Sequence, residues 1–461
     1  MIKKNKTYEI YISDLSEEGL GIGRINDFVV FVPGMLTGER GTVRIVKVLK
    51  NYGFGNLEEL TERSVYRKEP VCPVFDKCGG CSLLNMNYEG QLKLKKKRVY
   101  DCLKRIGGIE ADVKDVIASP DSLRYRNKMA FPVQASGSGV RIGCYRQGSH
   151  DIANTDVCYL QTIKAQECIS VFRKWIDRNN ISIYDEHSRK GSLRHIIVRE
   201  NMRGELMCAL VTASRLKHTE ELCEDLKKAG AVSVIENINR VPGNVILGNE
   251  SRVLSGSRTL KENILGLSYD ISLHSFLQVN HKATELLYKT AIDFADIQKN
   301  ETVVDLYCGA GTISLYAAAK AKEVYGIEIV PQAIQNAKIN AKNNGVDNAF
   351  FICADCDGGF EQVHRFTDKI DVIILDPPRK GITENVISSI TSSGAQRIVY
   401  ISCDPATLSR DLALICKKGY SLIKVQPVDM FPQTNHIETI CCLYHQKKDF
   451  ISVPYEPKNA D

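Results

Sequence analysis

From about residue 262 onward the chain repeats one pattern: a short apolar run, a glycine turn, then a helical stretch. No other feature limits the fold as tightly. Thr302-Val-Val-Asp-Leu-Tyr307 reads as a buried strand, Cys308-Gly-Ala-Gly311 as the turn, and 312–320 as the helix behind it. Further strands are expected over 324–329, 350–354, 370–375 and 397–402, with helices between them. Strands that are apolar throughout are buried on both faces, so this region is expected to be a doubly wound α/β domain on a parallel sheet. The ligand of such a sheet lies beyond the carboxyl ends of its strands, where the strand order reverses.

The residues at those ends suggest a nucleotide-like ligand. Gly309 and Gly311 allow close approach of backbone, and Glu328, 17 residues beyond Gly311, is placed to accept hydrogen bonds from ribose hydroxyls. Dehydrogenases share that geometry, but two details favour S-adenosylmethionine. The G-x-G pattern, with Asp305 two residues before Tyr307, departs from G-x-G-x-x-G, and Asp376-Pro-Pro ends the fourth strand, as in methyltransferases acting on planar bases. Asp376 is placed to bind the methionine part of the cofactor or to orient the target; a plain Pro-Pro turn is the competing reading.

Cys403 stands at the end of the fifth strand, ahead of Asp404-Pro405. Burial as an inert thiol is the usual fate of cysteine, but this position argues for an exposed, reactive one. A turn, Phe431-Pro-Gln-Thr-Asn-His436-Ile-Glu438, places a carboxylate before a strand expected over 439–444. A thiol and a carboxylate beside a methyl donor suit carbon 5 of uracil, a poor nucleophile. Addition of a thiolate at carbon 6 turns the ring into an enolate that attacks the methyl, and a base then removes the carbon-5 hydrogen so that sulfur can leave. Cys403 is the candidate nucleophile and Glu438 the candidate base. A thiol with pKa about 8.5 is mostly protonated at neutral pH, so the site must lower it or deprotonate it on attack.

At roughly 150 residues per domain, 461 residues should make about three units. Residues 1–62 alternate apolar and polar side chains between tight turns and should close into a small barrel. Arg24, Arg44, Lys47 and Lys50, interleaved with Tyr52 and Phe54, suit single-stranded nucleic acid as well as a solvated surface. Residues 63–260 form a mixed α+β region, and 261–461 the α/β domain. In the middle region a helix around 91–105 should bury Leu92, Val99, Leu103 and Ile106 and turn Lys93, Lys95, Lys96, Lys97, Arg98, Lys104 and Arg105 outward toward phosphates. The tail after Lys447 is expected to fray.

The chain holds 16 cysteines, and no apolar run approaches the roughly 18 residues of a membrane span. The start is not a signal peptide, so a cytoplasmic protein with reduced thiols is expected. Cys72-x5-Cys78-x2-Cys81, with Cys158 as a fourth, is a ligand spacing that suits zinc or a [4Fe-4S] cluster equally. The net charge of +6 fits a polyanionic partner without requiring one.

Taken together these motifs resemble the RNA uracil-5-methyltransferase family, in particular its bacterial ribosomal RNA members. The likeness runs through the cysteine motif, Tyr125-Arg-Asn-Lys128, Tyr145-Arg-Gln-Gly-Ser-His150, Cys158, Leu193-Arg-His195, Ser275-Phe-Leu-Gln-Val-Asn280, Asp305–Gly311, Asp376-Pro-Pro-Arg-Lys-Gly381, Ser402-Cys-Asp-Pro405 and His436-Ile-Glu438. The resemblance implies an N-terminal TRAM barrel, a central domain in which Cys72, Cys78, Cys81 and Cys158 hold a [4Fe-4S] cluster, and a C-terminal Rossmann-like methyltransferase domain. It implies that Gln278, Tyr307, Glu328 and Asp376 bind S-adenosylmethionine, joined by the Gly309 and Gly311 turn and by Asp355 near the adenine. Phe276 is a candidate for stacking on an extruded base or else a core aromatic, and Arg126 and Lys128 are candidate RNA contacts. The family often has Asn where this chain has Asp404.

The implied substrate is 23S ribosomal RNA of the large subunit, met before full assembly by a monomer that binds no membrane. Transfer RNA is the alternative substrate. A non-catalytic assembly protein is a further alternative, disfavoured by the joint presence of Cys403, Glu438, Asp376 and the glycine turn. A radical methylthiolation enzyme would need C-x3-C-x2-C, which is absent.

Overall fold

Period-two burial builds the first element. In β1 (Thr7–Leu15), Ile10 and Ile12 are buried while Glu9 and Tyr11 between them are exposed. With β2 (Gly21–Ile25), β3 (Phe28–Val32), β4 (Arg40–Val48) and β5 (Tyr52–Glu62), it closes a barrel in the order β1-β2-β3-β5-β4. Ile10, Ile12, Val30, Val32, Val43 and Ile45 fill it. The strands come so close at Gly23 that a Cβ there would stand 2.5 Å from the Tyr11 carbonyl oxygen, so only glycine fits. On the surface, Phe31, Tyr52 and Phe54 cluster with ring centres 5.6–5.7 Å apart. Lys47 and Lys50 are exposed, whereas Arg44 pairs with Glu58 and Arg24 donates to the Asp27 carbonyl.

This computed structural model describes residues 2–137 and 139–446; the tail expected to fray lies outside them. By internal contacts the chain forms two units, one of residues 1–95, 116–286 and 428–437, the other of 96–115, 287–427 and 438–461.

Helix α1 (Tyr88–Arg105) buries Val99 and Leu103 as expected, but Ile106 lies past its end and is exposed, and its cations do not all face outward. Lys95 is 1% exposed, its ammonium 2.6 Å from Asp429 and 3.0 Å from the Phe431 carbonyl. The expectation fails because Lys95 lies four residues before Val99 and shares its inward face. Lys93, Lys96, Lys97 and Lys104 pair with Glu89, Asp115, Asp101 and Glu110, so acidic neighbours offset the charge offered to phosphates.

In the first unit, β6 (Lys128–Ser136), β7 (Gly139–Tyr145), β8 (Ile152–Asn154), β9 (Leu193–Glu200), β10 (Leu206–Thr212), β11 (Ala231–Ile238) and β12 (Glu250–Gly256) form a mixed sheet ordered β12-β11-β10-β9-β6-β7-β8. Helices α2 (Ile163–Arg178) and α3 (Glu220–Lys228) cover it, with Phe172, Trp175 and Leu226 in the core. A hairpin of β13 (Leu260–Ile264) and β14 (Leu267–Ile271) leads to a loop over 272–280 and then α4 (His281–Ala295).

The second unit has the expected doubly wound sheet. Its strands are β15 (Thr302–Leu306), β16 (Glu323–Glu328), β17 (Ala349–Cys353), β18 (Val372–Leu375), β19 (Arg397–Ser402), β20 (Tyr420–Val428) and β21 (Glu438–His445), in the order β17-β16-β15-β18-β19-β21-β20. The first five pair in parallel, and β21 is antiparallel to β19. Helices α5 (Thr312–Ala318), α6 (Pro331–Asn343), α7 (Cys356–Val363), α8 (Glu384–Ser392) and α9 (Pro405–Lys417) connect the strands. The strand order reverses beside β15, which puts the switch point at the glycine turn.

Candidate active site

Every residue of β15, β18 and β19 is buried, so polar chemistry is left to their carboxyl ends. After β15 the backbone turns left-handed at Tyr307 (φ 64°), Gly309 (54°) and Gly311 (81°). A Cβ on Gly311 would stand 3.0 Å from the Phe351 ring, so that position needs glycine on two counts. The Glu328 carboxylate is fixed at the same edge, accepting from the N–H groups of Gly309 (3.3 Å) and Val330 (2.9 Å). Asp305 is 1% exposed and accepts from the Ser314 hydroxyl; burial pushes its carboxyl up to about 7. Asp355 caps α7, accepting from Gly358 N–H at 2.8 Å, which occupies one of its oxygens. A left-handed non-glycine residue costs of order 1–3 kcal/mol and is tolerated mainly where geometry has a use, which marks Tyr307.

The chain leaving β18 runs through Asp376-Pro-Pro-Arg379 and is tied down from α9. Thr407 Oγ1 donates to the Arg379 carbonyl at 3.1 Å, Arg410 to that of Lys380 at 3.0 Å, and Ile382 N–H donates to Asp411 Oδ2 at 3.0 Å. Between β19 and β21, Ser402 sits opposite Thr439. The register therefore brings Cys403 and Glu438, the next residue outward on each strand, to the same end.

Cys403 is half-buried rather than exposed as expected. Burial first, then the Glu438 and Asp376 charges, push its thiol up to about 11, with Arg379 pulling the other way. Glu438 is 2% exposed, and its Oε2 is buried without a hydrogen-bond partner among the described residues. Burial and the neighbouring Asp376 hold its carboxyl well above the usual range, while Arg379 opposes them. Burial also raises Asp376, to about 7. The Tyr288 phenol is likewise raised by burial, with Asp376, Asp305 and Glu438 all acting on it. Asp404 adds less charge beside the thiol than its position suggests, because its Oδ1 caps α9 through the N–H groups of Ala406 (2.9 Å) and Thr407 (3.0 Å). Arg379 and Tyr288 were not singled out from sequence. Arg379 had a signal in its motif, but Tyr288 lies in an ordinary helical pattern.

In the first unit, Arg199 pins the 272–280 loop by donating to the carbonyls of Ser272 (3.2 Å) and Ser275 (2.9 Å). Phe276 then projects at 75% exposure, which excludes the core reading, while Gln278 is buried at 5%. Burial, with Arg199 and Arg126 beside it, pulls the Lys128 ammonium down to about 7, a poor state for holding phosphate. Arg126 lines a cavity of about 300 Å³ together with Cys72, Cys78, Cys81, Cys158 and a fifth thiol, Cys144. Nothing in the spacing of Cys144, a β7 residue, sets it apart from an ordinary strand thiol. Among the described residues no three or more ligand side chains converge as a single metal ion would need.

A family profile described as tRNA (Uracil-5-)-methyltransferase matches residues 87–447, and a TRAM domain profile matches residues 3–57. An uncharacterized RNA methyltransferase of Clostridium tetani is 44% identical over 97% of this chain and 98% of its own. One from Clostridium acetobutylicum is 43% identical over 95% and 97%. Among solved structures, the Pyrococcus abyssi tRNA (uracil-54, C5)-methyltransferase in complex with S-adenosyl-L-homocysteine covers 95% of this chain and all of its own, with TM-score 0.76 and 25% identity. The chain therefore belongs to the S-adenosylmethionine-dependent RNA uracil-5-methyltransferase family, with an N-terminal TRAM domain.

Proposed function

We propose that this protein methylates carbon 5 of uridine in 23S ribosomal RNA through a covalent adduct at Cys403. The observation that carries the reading is the placing of Cys403 and Glu438 next to the Ser402–Thr439 pair that ends the β19–β21 ladder, with Glu438 Oε2 buried and without a hydrogen-bond partner among the described residues. A carboxylate oxygen left without a partner is costly to bury, so its retention suits a base kept for substrate. Gln278, Tyr307, Glu328, Asp376 and the Gly309 and Gly311 turn are the proposed cofactor contacts. The cofactor supplies an electrophilic methyl group. The Cys403 sulfur adds to carbon 6 of uracil while its proton passes to oxygen 4 of the ring, since a thiol near 11 is protonated at neutral pH, and oxygen 4 gives that proton up to solvent as the methyl is taken. Carbon 5 then takes up the methyl. Glu438 removes the carbon-5 hydrogen, the double bond re-forms, and the sulfur leaves. Arg379 stabilises the anionic forms of both residues.

The cysteine cavity supports a [4Fe-4S] cluster on Cys72, Cys78, Cys81 and Cys158 over a single zinc. Zinc requires every sulfur within about 2.3 Å of one point, whereas a cluster spreads its four ligands over separate irons and needs a cavity. The cluster would tie the 72–81 loop to the first unit; no catalytic step runs through it. Phe276 is proposed to stack on the displaced base, and the barrel to grip RNA through Lys47, Lys50 and the Tyr52 cluster.

The likeness to the Pyrococcus tRNA enzyme favours transfer RNA as a second reading. Mapping 5-methyluridine by mass spectrometry in RNA from a deletion strain separates the two. Loss from 23S RNA is expected, and loss confined to transfer RNA would overturn the ribosomal assignment.

A further inference from the structure

A hollow of about 380 Å³ opens in the first unit, lined by residues other than those of the cysteine cavity and within the range of small-ligand sites, roughly 300–1,000 Å³. Gln134, Tyr145, His150, Glu186, Arg194 and His195 line it. A second hollow of about 470 Å³ shares Tyr145, His150, Glu186 and His195. Two of these side chains hold polar atoms that the fold leaves unused. His195 is 92% buried by its 8% exposure, and neither Nδ1 of that ring nor Oε1 of Gln134 has a hydrogen-bond partner among the described residues. Two such orphans line one hollow, and each costs about 1–3 kcal/mol while it stays unpaired.

The hollow is built for a flat ligand. Tyr145 and His150 stack with ring centres 5.1 Å apart and planes 20° from parallel. Glu186 holds His150 through Nδ1 at 2.9 Å, fixing that ring's plane. The strap carrying both rings is anchored from the cysteine loop, where Gly79 N–H donates to the Tyr145 carbonyl at 2.9 Å. Its charge disfavours phosphate. Asp151, Asp185 and Glu186 line the hollow against the single guanidinium of Arg194, whose Nη1 donates to the carbonyls of Asn239 and Val241. Burial pulls His195 down to about 4, so it is neutral at pH 7 and offers one donor and one acceptor. What remains is mostly acceptors, which want a ligand rich in N–H groups.

We infer that this hollow is a second base-reading site that takes an unpaired nucleobase bearing an exocyclic amino group, guanine above all, stacked on the Tyr145–His150 platform and hydrogen-bonded by Gln134, Glu186 and His195. The inference rests on the reading of the protein as an RNA methyltransferase, and it deepens that reading: the target uridine is chosen partly by an amino-bearing base elsewhere in the same RNA loop. Uracil has no amino group and offers only its N3–H to these acceptors, so the hollow favours the reader base over the target base. Carboxylate and amide acceptors paired with base amino groups are worth about tenfold or more per good contact.

The test is the affinity of the whole protein for fluorescent dodecamers of uridine, with and without one central guanosine. A single guanosine is expected to tighten binding about tenfold. Gln134→Leu, and separately the exposed-site variant Glu186→Gln, should abolish that gain while their unfolding midpoints stay within a few degrees of the parent. Equal affinity for the two oligomers in the parent protein, or an undiminished gain in Glu186→Gln, would overturn the site. Failure of methyl transfer to uridine with the guanosine gain intact would remove the proposed activity and leave this site standing. Methyl transfer without the gain would remove the site alone.

Discussion

The rim of the parallel sheet and the cysteine pocket are both sets of reactive side chains, but they are held in opposite ways. At the rim, regular elements do the positioning: β19 and β21 fix Cys403 and Glu438 by register, and α9 fixes the Asp376–Gly381 segment by hydrogen bonds. Around the cysteines, irregular turns do it; Cys78 N–H and Lys77 N–H both donate to the Val74 carbonyl, and the thiols line a cavity in which Cys78 and Cys144 are hydrogen-bonded to each other. A rim set by strand register is organised before anything binds. A pocket set by loops depends on its occupant for order, so substitutions in the two places should fail differently.

The largest expected effect is at the rim. Cys403→Ala should cut methyl transfer by roughly 10⁴-fold or more, as removal of a covalent nucleophile does, with the unfolding midpoint unmoved; retained turnover would break the contrast. Glu438→Gln should lower turnover by about 10²–10⁴-fold and let the RNA adduct accumulate on gels. It should also change the thiol in a direction that can be worked out. Once ionised, Glu438 is one of the causes that push the parent thiol up to about 11, so iodoacetamide labelling of Cys403 should rise about tenfold per pH unit below that value, and the neutral amide should shift the curve to lower pH. A shift upward would mean that the two residues do not face each other.

Next come losses of order without loss of rim geometry. Lys95→Met leaves Asp429 buried without its cation and should cost about 3–5 kcal/mol in urea unfolding, while the salt dependence of RNA binding stays as it was. A large fall in that salt dependence would return Lys95 to the phosphate-contacting role read from its helix. Cys81→Ser should turn anaerobically purified protein from brown to colourless and loosen protease protection of residues 72–81, with S-adenosylhomocysteine binding unchanged; a parent protein that is colourless and carries zinc would contradict the cluster. The smallest effect is expected at Lys50→Ala, where RNA binding should weaken only slightly and the salt slope fall by about 1.

The same contrast explains what could be read without coordinates. Strands 397–402 and 439–444 were legible almost to the residue, because strands buried on both faces must be apolar throughout and end where polar chemistry begins. The alternation of Ile10 and Ile12 exposed β1 in the same way. β5 was harder, since Gly53, Gly55 and its acidic run Glu58-Glu59 hide a strand whose outer half faces solvent. Lys95 misled because a long cationic side chain signals solvent, and only the distant Asp429, 334 residues away in sequence, makes its burial possible. Cys144 and Tyr288 were invisible for a similar reason. Each belongs to an element that would look the same without it, and only tertiary placement brings it near a thiol or a carboxylate.

Incubation with S-adenosylmethionine and RNA carrying 5-fluorouridine at the target tests the central claim most directly. Fluorine at carbon 5 cannot be removed as a proton, so elimination stops and the RNA should stay bound to the protein, with peptide mass spectrometry placing the link on Cys403. Methylated product without a trapped species, or a link to any other residue, would contradict the account.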